Sequence, residues 1–115
     1  MRYFSRKELE CPCCGFHNID PKFHRMLDRA RENSGVPFPV NSAVRCAAHN
    51  AKVGGAENSA HTLGVAIDIR VDSSWHRFKI LRALVLVGFE RIGIYETFIH
   101  ADVDSSKTAE VVWYK

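Results

Sequence analysis

The sequence has no apolar run long enough to span a bilayer, no Lys/Arg block, no internal repeat and no low-complexity stretch. A membrane span, a collagen-like rod and a disordered linker are thereby set aside. The net charge of +3 is spread along the chain. It gives only a weak preference for an anionic partner, and without a basic stripe no nucleic-acid partner is expected. What remains is an ordinary soluble composition, 46% hydrophobic and 25% charged, in 115 residues. That length suffices for one hydrophobic core and falls short of two, so residues 1–115 are read as a single domain.

Cysteine is scarce and unevenly placed. Cys11, Cys13 and Cys14 crowd one segment and Cys46 stands alone. This is not the even spacing of a disulfide framework, and the second CxxC of a common zinc module is missing. Adjacent Cys13 and Cys14 do not easily point at one metal, so buried or idle reduced thiols are the main expectation and a structural zinc site at these cysteines is the lesser alternative. The stretch from Met1 to Lys7 carries charges but no apolar h-region or small-residue cleavage site, which predicts cytoplasmic synthesis without a signal peptide.

Local patterns give an α+β reading. Asp20 caps a helix opened by Pro21, with Phe23, Met26, Leu27 and Ala30 at helical spacing and Gly35 at its end. His24, beside this stripe, is read as a surface or boundary residue. After the extended Val36-Pro37-Phe38-Pro39 comes a short strand from Val40 to Arg45, then a helical turn from Ala47 to Val53 closed by Gly54-Gly55, then a loop from Ala56 to Leu63. Val65 to Val71 reads as a strand with Asp68 facing away from Ile67 and Ile69. A second helix follows from a cap at Asp72, Ser73 or Ser74 to about Val87, with Trp75, Phe78, Leu81, Leu84 and Val85 as its buried stripe. Phe89–Tyr95, Phe98–Val103 and Glu110–Tyr114 are β-prone, and the whole predicts a small antiparallel sheet with helices packed against it.

Two segments carry ionisable groups in informative places. His61 lies in a loop seven residues before Asp68, and His100 and Asp102 share one face of the last long strand. Two imidazoles and one carboxylate form the three-ligand set of a catalytic zinc, which leaves a fourth position for water and lowers its pKa towards ~7. Asp102 and Glu96 are the carboxylates nearest in sequence for a general base. On residues alone, a satisfied histidine and a capped aspartate remain the commoner fate of His61 and Asp68.

Ser59-x-His61-x-x-Gly64-x-Ala66-x-Asp68 resembles the SxHxxGxAxD signature of the zinc D-Ala-D-Ala carboxypeptidases and related LAS-type peptidoglycan peptidases, peptidase family M fifteen. Ser42-Ala43-Val44-Arg45-Cys46-Ala47-Ala48-His49-Asn50 with Val53-Gly54-Gly55-Ala56 is similar to a segment of its subfamily A, as is Ile92-Gly93-Ile94-Tyr95 before Phe98-Ile99-His100-Ala101-Asp102-Val103. The likeness runs from Phe4 to Val103. It implies a hedgehog/DD-peptidase fold, Zn2+ held by His61, Asp68 and His100, and a peptidoglycan stem peptide or D-Ala-D-Ala-type peptide as substrate. Arg45 and Ser59 would then hold substrate beside the metal, with His49 on the structural or substrate side. Where relatives carry an acidic base three residues before the last histidine this chain has Thr97, so the base falls to Asp102 ahead of Glu96. A second departure is Ala43-Val44 in place of Gly-Tyr. The readings that follow are a peptidase of the cell wall, either reaching it by a phage holin or as part of a phage tail or virion or acting as a bacterial wall-remodelling enzyme, and a zinc-binding structural or wall-binding module of the same fold without turnover. A small HNH-type nuclease around His49 is the remaining alternative.

Overall fold

The computed structural model describes residues 3–115; Met1 and Arg2, at the start of the N-terminal stretch read above, lie outside the described residues. Helix α1 (Arg6–Leu9) was not foreseen. Ser5 and Glu8 close a reciprocal capping box that makes so short a helix tenable, and Leu9 anchors it in the core. Helix α2 (Pro21–Ser34) starts as the sequence predicts, with the Asp20 carboxylate accepting from the Phe23 N–H at 2.9 Å, and it stops at left-handed Gly35.

Strand β1 (Val40–Ser42) is shorter than predicted. Helix α3 (Ala47–Lys52) and a 3₁₀ turn (Ala60–Leu63) occupy the excursion between β1 and strand β2 (Ala66–Arg70). Helix α4 (Ser74–Val87), capped by Ser73, leads to β3 (Arg91–Ile94), β4 (Phe98–Asp102) and β5 (Val111–Tyr114). The sheet order is β1-β2-β4-β3-β5. It is antiparallel as expected except at its last edge, where β5 runs parallel to β3. The turn around Asp104 and the residues after it carry the chain back along the sheet, so β5 starts from the same end as β3.

Alternation along the strands sorts the two faces. Ile67, Ile69, Ile92, Ile99 and Ala101 point into a core shared with Phe23, Leu27 and Ala30 of α2 and Ile80, Ala83 and Leu84 of α4. The predicted stripe of α4 is corrected. Trp75, Phe78 and Val85 are exposed, and the buried face consists of His76, Ile80, Ala83 and Leu84, which have the i, i+4, i+7, i+8 spacing that meets α2. Lys79 and Arg82 instead each set a cation against the exposed rings of Trp75 and Phe78, at 5.5 and 5.6 Å from their centroids. His24 is likewise buried rather than superficial, because Phe4 folds back over α2 and meets it edge-on. Among the described residues no helix is long and apolar enough to cross a membrane.

Candidate metal centre

The other face of the sheet carries the polar groups. Register places Ser42, Asp68, His100, Gly93 and Trp113 opposite one another in a single row across β1, β2, β4, β3 and β5. Residues paired directly across strands share a face, so this row is set by the hydrogen-bond ladder itself. His61 comes to the row from outside the sheet. Its 3₁₀ turn is opened by Ser59, whose Oγ accepts from the His61 N–H, and closed by Gly64 at φ 73°. A Cβ on Gly64 would lie 2.2 Å from the Asn18 carbonyl oxygen, so this tight return into β2 admits no side chain.

His61, Asp68 and His100 thereby bring one donor atom each within 4.8 Å of one another. His61 Nε2 lies 3.4 Å from Asp68 Oδ2, and His100 Nδ1 lies 2.8 Å from Asp68 Oδ1. The far nitrogen of each ring is also engaged. His61 Nδ1 is 2.7 Å from the Ala43 carbonyl oxygen, and His100 Nε2 is 2.7 Å from Asp102 Oδ2. A carbonyl and a carboxylate only accept, so each far nitrogen carries the proton and each near nitrogen of a neutral ring presents a lone pair to the Asp68 carboxylate. Lone pairs against an anion need a positive charge between them. These residues therefore fit a divalent cation held by His61 Nε2, Asp68 and His100 Nδ1, with outer partners that fix both tautomers.

The electrostatics of the metal-free protein agree. Burial opposes charge on Asp68, but its contacts with the His100 and His61 rings override it and hold its carboxyl well below the usual carboxylate range. Burial also disfavours charge on His100, and Asp102 and Asp68 outweigh it, raising its pKa so that a proton takes up part of the charge deficit. Asp102 is held down, against burial, by His100, the Asp104 N–H and Arg91.

Arg45 stands at the edge of this cluster with each of its three guanidinium nitrogens making one hydrogen bond. Its Nε donates to Ser42 Oγ at 3.0 Å, Nη1 to Asn50 Oδ1 at 3.2 Å and Nη2 to Asp68 Oδ2 at 3.4 Å. Asn50, quoted above in the family-like segment but given no role beside Arg45, is the buried bracket of that arrangement, and its own amide donates to the Ala56 carbonyl oxygen. Gly55 makes room for it: a Cβ there would sit 2.0 Å from Asn50 Oδ1. The paired glycines after α3 were the available signal. Trp113 was also missed. It occupies the space above side-chain-free Gly93, donates from Nε1 to Tyr95 Oη at 3.0 Å, and lies 5.6 Å from the His100 ring.

The two carboxylates considered as bases sit differently. Asp102 is 1% exposed, with Oδ2 on His100 and Oδ1 accepting from Arg91 Nε at 2.8 Å and from the Asp104 N–H at 3.1 Å. Both oxygens are committed on the far side of the imidazole. Glu96 is exposed in the β3–β4 hairpin, where its backbone carbonyl accepts from Arg77, and its carboxylate makes no hydrogen bond or ion pair with His61, Asp68 or His100. Thr97 is exposed beside it. His49 lies on α3 with its N–H directed to Cys46 Sγ and its buried Nδ1 without a hydrogen-bond partner among the described residues. β1 and β2 pair with each other around this excursion, so the ββα hairpin of an HNH nuclease is not formed about His49.

Comparison with curated proteins gave no match. The chain does match the family model described as Peptidase M15 over residues 2–102, a span that contains the three-residue cluster, Arg45, Ser59 and Asp102. With that match over most of its length, the chain belongs to the Peptidase M15 family.

Proposed function

We propose that this member of the family is a zinc metallopeptidase that hydrolyses a peptide bond in bacterial peptidoglycan, either as a D-Ala-D-Ala carboxypeptidase-like enzyme or as an endolysin-type endopeptidase. The observation that carries it is the convergence of two imidazole lone pairs and the Asp68 carboxylate in a peptidase-family chain. Bound there, zinc supplies Lewis acidity for a scissile carbonyl and lowers the pKa of water towards ~7. The protein's own residues supply the rest. Asp102 orients His100 through Nε2 and keeps its lone pair on Nδ1, and this contact supports a positioning role for it in place of the base role read from sequence. Arg45, immobilised by Ser42 and Asn50, places a fixed positive charge beside the centre for a substrate carboxylate or a polarised carbonyl oxygen. Ser59 holds the His61 turn in place, and its hydroxyl stands as a substrate-side partner within the same proposal. Delivery to the wall by phage-type release or as a virion component completes it.

A second reading, a wall-binding or structural module that retains zinc without turnover, is favoured by one fact. Both Asp102 oxygens are engaged and the exposed Glu96 carboxylate makes no hydrogen bond or ion pair with His61, Asp68 or His100, so neither carboxylate stands free beside the cluster to take a proton from water. Zinc-loaded protein incubated with purified muropeptides separates the two. New cleavage products, lost with chelator and restored by zinc, are expected; binding of muropeptides without any product would establish the module instead.

A further inference from the structure

The fold gathers the four thiols, which the sequence leaves between idle groups and a structural zinc site, at one point. Cys11, Cys13 and Cys14 lie on a tight turn after α1, and Cys46 caps α3 from a distant part of the chain, yet their four sulfur atoms lie within 4.8 Å of one another. Cys13 Sγ is 3.5 Å from Cys11 Sγ and 3.4 Å from Cys46 Sγ. A disulfide needs about 2.05 Å between sulfurs. Four sulfurs at ~2.3 Å from a central zinc ion would stand about 3.8 Å apart, close to the spacing found.

The backbone explains how adjacent cysteines reach one point. Neighbouring side chains diverge along a strand, but here the Cys11 N–H donates to the Phe16 carbonyl and the Gly15 N–H to the Cys11 carbonyl, each at 2.8 Å, and Gly15 takes φ 76°. The chain curls around its own sulfurs. Backbone N–H groups also point at the sulfurs, those of Cys13 and Cys46 at Cys11 Sγ and that of His49 at Cys46 Sγ, as expected around thiolates.

We propose that Cys11, Cys13, Cys14 and Cys46 bind a structural zinc ion as four thiolates, a site separate from the His61–Asp68–His100 cluster. Four protein ligands leave no open position, so this centre is closed to substrate. Its consequence lies next door. Cys46 follows Arg45, and Ala43, whose carbonyl holds His61 Nδ1, is three residues earlier; the Val44 N–H also donates to the Leu9 carbonyl at 2.9 Å. The ion would clamp the N-terminal turn onto the segment that positions both Arg45 and His61, giving a small domain the cross-link that its modest core needs.

The test uses the full chain, purified reduced with zinc and freed of loosely bound metal by gel filtration. Elemental analysis should give two zinc ions per wild-type chain, and one in the His61→Ala/His100→Ala double variant, released as an organomercurial titrates four thiols. Cobalt substitution of the wild type, which does not depend on any variant folding, should produce the intense sulfur-to-cobalt charge-transfer absorption of a tetrahedral thiolate site. A Cys13→Ser/Cys14→Ser variant should lose that absorption. Absence of the band in cobalt-loaded wild type, four thiols open to Ellman's reagent in the zinc-loaded native protein, or a Cys13–Cys46 disulfide in the peptide map would each overturn the proposal. Failure of the histidine centre reads differently: the His61→Ala/His100→Ala variant would then hold as much zinc as wild type.

Discussion

Replacing Asp102 by Asn distinguishes a carboxylate that orients His100 from one that takes a proton. Asn is nearly isosteric, and its carbonyl oxygen can keep the contacts that Oδ1 now makes with Arg91 Nε and the Asp104 N–H at 2.8 and 3.1 Å. Its amide nitrogen then faces His100 Nε2, 2.7 Å from the oxygen it replaces. Two donors cannot share that space. The imidazole must shift its proton to Nδ1, the nitrogen that faces Asp68 and that metal binding requires to be bare. Restoring the binding tautomer leaves a buried donor unsatisfied, at a cost of about 1–3 kcal/mol. Metal affinity should therefore fall about 10–100-fold, the range for lost outer-shell partners. Losing the charge opposite partly buried Arg91 should lower the stability of the metal-free protein by a further ~1–3 kcal/mol. Competition against a chromophoric chelator measures the first effect and guanidinium unfolding with chelator present the second. Wild-type metal affinity and stability combined with a drop in turnover of roughly 10² to 10⁴ would refute the positioning role and make Asp102 the base.

Glu96→Gln should leave zinc content and turnover within about twofold of wild type, since the exposed side chain makes no hydrogen bond or ion pair with the cluster; a loss above about tenfold would show that it folds in on substrate binding. Arg45→Lys cannot reproduce the three-way fork and should lower both stability, by about 1–3 kcal/mol, and turnover, by more than about tenfold; unaltered melting would contradict the hydrogen bonds to Ser42, Asn50 and Asp68. Asp104 accepts from Ser106 and Lys107, which against its burial lower its pKa from 3.8 to about 2. The folded value is depressed, so its stabilisation of about 2 kcal/mol is complete above the unfolded value and lost as pH falls from about 4 to about 2. Asp104→Asn should remove that acid-dependent part of the unfolding curve, and an unchanged pH profile would count against it. Zinc competes with a proton on His100, whose pKa is raised, so affinity measured by calorimetry should weaken on acidification from a higher pH than an ordinary histidine would give.

Local chemistry was legible in the sequence because it depends on neighbours along the chain. The Asp20-Pro21 start and Gly35 stop of α2, the alternation that turns Asp68 away from Ile67 and Ile69, and the shared face of His100 and Asp102 all follow from backbone period and capping. The stripe of α4 was misread because the helix is apolar on more than one side; only the position of α2 decides that His76, Ile80 and Ala83 go inward while Trp75 and Phe78 stay out. Register between strands is likewise a tertiary property. Nothing in the order of residues places Trp113 in the row of His100, and the parallel pairing of β5 with β3 does. The same holds for function at its finest grain. Sequence spacing placed Asp102 beside His100, but which ring nitrogen it meets, and that Arg91 takes its other oxygen, depends on three strands lying side by side. The four cysteines are the extreme case, because a turn and a helix cap that are far apart in sequence bring together sulfurs that spacing alone kept apart.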